Sequence, residues 1–297
     1  MVIKDCFSSL HPVSEFAYFA AVIVISMFFL HPVVLAASLL GGVFYNIYLG
    51  GRRAVKFIVA YMLPLALAVA VLNPVFNHRG ATILFYAGDN PITLESFLYG
   101  LAAGAMLISV MVWFSCYNRV MTSEKVVFIF GRIIPSISLI FSMTLRFVPR
   151  FKAQVKVITD GRRCISGDLS KGRFIKKVKN GAIISRALLA WSFENSIETA
   201  DSMRARGYGL ARRTQSLEHR FGALDRCFLG LFCALLAVFI LGACFGRVNF
   251  SYFPAVSVLS FSAADAVIYP AIALLMLLPM IFNLSEDYKW HRLRSKI

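Results

Sequence analysis

Apolar residues in this chain come in long runs. Phe16 to Gly51 contains no Asp, Glu, Lys or Arg over 36 residues. As one helix that run would measure about 54 Å at roughly 1.5 Å per residue. A bilayer's hydrocarbon core is about 30 Å thick, so a single straight helix is excluded. His31-Pro32 lies near the middle of the run, and proline starts helices better than it continues them. The pattern predicts a hairpin of two spans, about 16–30 and 33–51. Further apolar runs predict spans at about 57–76, 95–117, 227–246 and 264–284. Segment 77–93, NHRGATILFYAGDNPIT, is rich in turn formers and reads as a connector.

Composition agrees with this pattern. The chain is 59% hydrophobic and 15% charged, with mean hydropathy +0.71. Soluble domains lie nearer half apolar and a quarter charged. The expected fold is an all-α integral membrane protein with about six transmembrane helices. Residues 1–117 hold four spans, 227–284 hold two, and 118–226 form a long cytoplasmic helical region between spans four and five. Residues 285–297 form a cytoplasmic tail. The net charge is +16, from 31 Lys+Arg against 15 Asp+Glu. Only Arg79 and Arg247 fall in the two external connectors. With both termini inside, the other basic residues are cytoplasmic, as the positive-inside rule requires. The surplus therefore reads as topology, and no nucleic-acid partner is expected. The six cysteines form no CxxC pair and read as reduced thiols. The N-terminus lacks the features of a cleavable signal peptide.

Residues 118–226 are the part that a plain membrane bundle does not explain. Arg119 to Arg226 contains 21 Lys+Arg, and Glu124 to Asp225 contains 8 Asp+Glu. Within it, VVFIF (126–130) and IIPSISLIFSMTL (133–145) are nearly apolar enough to cross. A crossing there would place the most basic part of the chain outside, so 126–145 reads as helices in or under the cytoplasmic leaflet. A seventh crossing is the rival reading. FKAQVKVITDGRRCISGD (151–168) continues a helix that starts after Pro135, bends near Pro149 and stops around Gly161, with Arg162 and Arg163 at its end. KGRFIKKVKN (171–180) then reads as a basic amphipathic link.

Ala182 to Arg206 reads as a long amphipathic helix. Its apolar residues Ile184, Leu188, Trp191 and Met203 recur at helical intervals, and Glu194, Glu198 and Asp201 share a face. The bland reading of that face is solvation plus an Asp201–Arg204 pair. Gly207 stands where a left-handed C-cap wants glycine, leaving Arg206 at the tip, where the helix dipole favours a cation. Such a rigid tip suits insertion into a pocket with acidic walls. Arg212 and Arg213 follow shortly after.

These residues resemble the transmembrane coupling subunit, or T component, of energy-coupling factor transporters, the class that includes the cobalt-type permease. The resemblance rests on the HP-broken hairpin, the NPVFNHRGATILFYAGDNPIT loop, TLRFVPRF (144–151) and, above all, ENSIETADSMRARGYG (194–209). The C-terminal EDYKWHRLRSKI is like the longer members. In that family, three-residue motifs centred on arginine end two coupling helices. Here the second is Ala205-Arg206-Gly207, beside Arg204. The first aligns with Cys164-Ile165-Ser166, with isoleucine where arginine is expected, and the resemblance then points to Arg162 or Arg163, one register earlier. The resemblance implies two ABC-type ATPases, each receiving one helix tip. It also implies a separate membrane subunit, the substrate-binding S component, which releases a vitamin or metal ion inside. ATP and Mg would be bound by those ATPases, with no cofactor in this chain. The location implied is a bacterial or archaeal cell membrane.

The residues themselves are compatible with such a role. No G-x-x-x-x-G-K-[ST] phosphate loop occurs, and the expected spans carry essentially no ionisable groups of the kind ion-driven transporters use. His31 is placed at the hairpin turn. A membrane-embedded enzyme is the first alternative. His11, His31, His78, His219 and His291 are scattered without paired ligand spacing. Asp160 and Asp168 flank a basic loop but lack the acidic cluster of phospholipid-handling sites. An ion-coupled transporter or channel is the second alternative. It would need charged or broken helices at mid-membrane.

Overall fold

The computed structural model describes residues 5, 7–77, 79–87, 90–133, 135–166, 174–210, 221–254, 256–257, 262 and 264–294. The readings made of His78, Asp168, His219, Arg212 and Arg213 fall outside the described residues. The chain forms two compact units, 1–122 with 219–297, and 123–218.

The first unit is a bundle of apolar helices. A short 3-10 turn, Phe7–Ser9, precedes α1 (Pro12–Phe28) and α2 (Pro32–Gly50). Both helices open on the same tripeptide. His11 and His31 each accept the backbone N–H two residues on through Nδ1, at 3.3 Å, and Pro12 and Pro32 take the first helical position. A proline there loses nothing, because its missing N–H would have had no intrahelical partner. The signal read at His31-Pro32 is therefore also present at His11-Pro12, and α1 begins four residues before the predicted start.

Helix α3 (Arg52–Phe76) widens into a π turn over Ile58–Met62. That turn lies just before Pro64, whose ring would clash with a carbonyl four residues back in a regular helix. A hairpin follows, with β1 (Ile83–Ala87) antiparallel to β2 (Asn90–Thr93), where only a connector was predicted. Helix α4 (Leu94–Val120) comes next, and α8 (Ala223–Cys244) and α9 (Asp265–Arg294) complete the unit. Five of these helices are long and apolar enough to cross a membrane. Helix α1, with 17 residues, spans roughly 25 Å and is shorter than the ~30 Å hydrocarbon core.

Lipid offers helices no hydrophobic reward for touching each other, so small residues and buried hydrogen bonds must hold them together. Gly100 and Gly104 on α4 face α3. A Cβ at Gly104 would lie 2.8 Å from the Ala66 carbonyl oxygen, and one at Gly100 would lie 2.9 Å from that of Ala70. Gly41 gives α2 the same approach to the Met276 carbonyl on α9, at 2.7 Å. Ser38 on α2 hydrogen-bonds Ser26 on α1 and Ser109 on α4, and Trp113 Nε1 donates to Ser38 Oγ at 3.0 Å. Tyr18, Phe19, Tyr45 and Phe228 pack edge to face around the buried Phe7 ring. Tyr18 donates to the Leu275 carbonyl at 3.1 Å.

Ionisable groups are buried near the helix ends. Glu15 in the first turn of α1, one residue before the first predicted span, is fully buried. Glu95 accepts from the Thr82 backbone and hydroxyl, and Asp225 accepts from His11 N at 2.7 Å and Gly222 N at 2.8 Å. His31 lies at the hairpin turn against Tyr269. Burial lowers its pKa, opposed by the Asp265 carboxylate.

The second unit contains α5 (Ser123–Ile133), α6 (Pro135–Ser166) and α7 (Phe174–Ala205). Helix α5 packs on α6, and α6 on α7. Two boundaries differ from the sequence reading. Helix α6 runs through Pro149 and past Gly161 to Ser166, and α7 starts at Phe174, absorbing most of the basic segment read as a link. A lone glycine costs a helix only about 1 kcal/mol, and a Cβ at Gly161 or Gly181 would meet nothing. Neither glycine marks a tight turn.

The glycine seam makes a stability prediction. Gly104→Leu should force α3 and α4 apart and lower the melting temperature in detergent by several degrees, since overpacking typically costs about 1–3 kcal/mol. Gly230→Leu on α8, where a Cβ would meet nothing within 4 Å, should melt like wild type. Equal melting of the two variants would show that the seam does not hold these helices.

Candidate functional site

The end of α7 is built by a complete backbone cap. Gly207 adopts φ 78°, the left-handed conformation that costs glycine least. Its N–H donates to the Arg204 carbonyl at 3.0 Å, and the Tyr208 N–H reaches back to the Met203 carbonyl at 3.0 Å. These are the paired bonds of a Schellman motif. They stop the helix at Ala205 and leave Arg206 as the capping residue. Arg204 and Arg206 are both exposed. Asp201 and Arg204 form no ion pair among the described residues.

The end of α6 differs. Arg162 and Arg163 lie within its last turns and not at its tip. Arg163 pairs with Asp160 at 3.4 Å, with both side chains more than half exposed. Such a pair contributes little in water. Arg162 is half-buried, and its Nε has no hydrogen-bond partner among the described residues. The tip itself carries exposed Cys164 and Ile165, the latter 80% exposed. The two helix ends thus present different chemistry, a guanidinium on α7 and an aliphatic side chain on α6.

Helices α6 and α7 meet through Phe151 and Trp191, whose ring centroids lie 5.5 Å apart at 83°. Beside this contact runs a groove of about 390 Å³ whose walls include Ser142, Arg146 and Arg150 from α6 and Glu198, Ser202 and Arg206 from α7. The structure brings Arg206 together with Arg146 and Arg150, and not with Arg162 or Arg163. The sequence reading treated Arg146 and Arg150 only as flanking charge. Their spacing of four from each other, and of four from Ser142, was the available sign of a shared face. No carboxylate lies within 4.0 Å of these three guanidiniums among the described residues. Among the described residues no cluster of three His, Cys, Asp or Glu could hold a metal ion.

Two comparisons bear on this arrangement. A cobalt transport protein family model, CbiQ, matches residues 7–217, which include both long helices and the Schellman cap. The energy-coupling factor transporter transmembrane protein EcfT of Lactobacillus helveticus (strain DPC 4571) is 30% identical over 109 residues, covering 36% of this chain and 39% of that protein. The aligned part is thus well under half of that relative's length. Since the family model extends over most of the chain, through the first bundle helices and the second unit alike, the protein belongs to the cobalt transport protein (CbiQ) family.

Proposed function

We propose that this chain is the non-catalytic coupling subunit of an energy-coupling factor importer. It transmits ATP-driven motion of two ABC-type ATPase subunits to a membrane substrate-binding subunit that takes up a vitamin or metal ion. The observation that carries the reading is the capped end of α7, where a 32-residue helix finishes in an exposed arginine with no ion-pair partner among the described residues. A Schellman cap fixes the last turn, so a force on Arg206 is delivered along a helix and is not absorbed by a frayed end. Arg206 is the principal docking residue, with Ala205, Gly207 and Arg204 beside it. Arg162 and Arg163 belong to the second contact, where the exposed Ile165 lies nearer the end of α6. The chain lacks a phosphate loop, so nucleotide and Mg belong to the ATPases. The family and the name of the Lactobacillus relative support this assignment.

Such coupling requires contacts that differ between two states. Two separate helix tips meet that requirement, because closure of two ATPases changes the distance between their docking pockets. The same reading places both termini and the unit 123–218 in the cytoplasm, and the chain in a bacterial or archaeal cell membrane.

Two outcomes follow. Arg206→Glu should insert normally but lose co-purification with the ATPases encoded beside it, or retain them with transport reduced at least about tenfold. Breaking a buried interfacial charge pair typically costs that much or more. Arg163→Glu should have a smaller effect. Normal transport by Arg206→Glu would remove that residue from the mechanism, and failure of wild type to retain any ATPase would overturn the reading. For orientation, a cysteine at Arg79 should react with a membrane-impermeant maleimide in intact cells while Cys164 stays protected until the cells are opened. The reverse pattern would invert the topology.

A further inference from the structure

The arginine groove of the second unit has a neighbour of opposite character. On α6, Thr144, Phe147, Val148, Phe151, Lys152 and Val155 line a second groove of about 420 Å³. Its walls are aliphatic and aromatic except for the threonine and the lysine. Phe147 borders both grooves. A strongly basic pocket and an apolar trough therefore abut on a single helix. The basic pocket carries Arg146, Arg150 and Arg206 against the one carboxylate of Glu198, with hydroxyls of Ser142 and Ser202 beside them. Guanidiniums present planar forks of donors that match phosphate oxygens two at a time, and hydroxyls donate to the remainder.

We propose that the paired grooves bind an anionic phospholipid, its phosphoryl headgroup held by Arg146, Arg150 and Arg206 and an acyl chain lying along Phe147, Val148, Phe151 and Val155. A free phosphate would use only the first groove and leave the apolar trough empty. An acidic protein segment would likewise leave it unexplained. The sequence supplies an independent reason for a lipid to be near. Helix α5 starts three residues after α4 ends, at Val120. Three residues reach at most about 10 Å, so α5 begins close to the end of a membrane-spanning helix. Along α6 the chain then changes from apolar to basic. Ile140 and Phe141 are exposed, and Arg146, Arg150, Lys152 and Lys156 follow within sixteen residues of Ile140. Apolar residues followed at once by cations are what a helix presents at the boundary between acyl chains and headgroups.

The site shares Arg206 with the proposed docking tip, so the test leaves that residue unchanged. Failure of one idea is then separable from failure of the other. The full chain in neutral detergent would be titrated with phosphatidylglycerol, phosphatidylcholine or inorganic phosphate. The readouts are the melting temperature and the number of lipids retained in native mass spectrometry. Wild type should be stabilised and retain lipid with phosphatidylglycerol only. Each basic residue near an anionic surface is worth roughly fivefold in affinity, so Arg146→Gln with Arg150→Gln should weaken phosphatidylglycerol binding about twenty-five-fold. Arg162→Gln with Arg163→Gln removes the same charge outside the grooves and should bind like wild type. Val148→Asp should weaken lipid retention by placing a charge in the trough.

Equal loss in the two arginine pairs would reduce the effect to bulk charge and overturn the proposal. So would stabilisation by inorganic phosphate alone, or phosphatidylcholine retained as well as phosphatidylglycerol. Should the Arg146/Arg150 variant not fold, the wild-type preference among the three additives and the Val148→Asp result decide the matter.

Discussion

The hydrogen bonds centred on Ser38 set the arrangement on which the membrane unit depends. Ser38 links α2 to α1 through Ser26 and to α4 through Ser109, and it also receives the Trp113 indole. In water such a cluster would be one contribution among many. In lipid the apolar side chains gain almost nothing by leaving the acyl phase, so directional bonds and close backbone approach decide which helices are neighbours. The glycines act on the same principle, since the gaps at Gly41, Gly100 and Gly104 are too narrow for any side chain. The large aromatic residues then fill what remains. Without the Ser38 hydroxyl, Ser26 keeps its bond to the Val22 carbonyl and Trp113 its bond to the Ser38 carbonyl, while Ser109 loses its bond to Ser38 in a medium that cannot replace it.

Solvent also separates the two units chemically. Helix α3 is the extreme case in the bundle, with 11% of its apolar window buried and an all-round hydrophobic sequence. A bare apolar face carries no penalty in lipid, and α3 packs chiefly on α4. The second unit works by the opposite rule. Its two long helices share few large buried residues, and Phe151 against Trp191 is their principal aromatic contact. Their length is stabilised by backbone hydrogen bonds, and their surface is free to carry charge. A pair of stiff, sparsely packed rods can shift relative to each other without breaking a core, which suits the proposed coupling role.

Much of this was legible in the sequence, for identifiable reasons. The apolar runs located the membrane helices because a bilayer imposes a length that composition cannot disguise. Gly207 marked the end of α7 because the left-handed position of a Schellman cap selects glycine strongly. Where the reading differed, weak signals were given too much weight. Gly161 was read as a stop although glycine in an exposed helix costs little, and α6 continues to Ser166. The basic segment from 174 was read as a link because charge was taken for irregularity, although lysine is a good helix former. His11-Pro12 repeated the His31-Pro32 signal and was not used. The hairpin of β1 and β2 was hidden by turn residues, and the grouping of Arg146 and Arg150 with Arg206 depends on which face of α6 meets α7, which no local pattern specifies.

The distribution of arginine then acquires a second meaning beside topology. The positive-inside rule accounts for the sign of the charge in 118–226 but not for its placement. Lysines and arginines spread evenly over exposed faces would satisfy the rule equally well. Instead Arg206 stands on a fixed cap, and Arg146 and Arg150 share its groove with the single carboxylate of Glu198 and with no carboxylate within 4.0 Å among the described residues. Three guanidiniums held together raise one another's electrostatic energy, a cost that dispersed positions would avoid. Water and salt offset much of that cost at an exposed groove, but they do not reward the grouping. An anionic partner does reward it, whether a carboxylate at the α7 tip or a phosphoryl group deeper in the groove. The clustering is thus the feature of this unit that its own folding leaves unexplained, and the binding proposed above would supply the missing stabilisation.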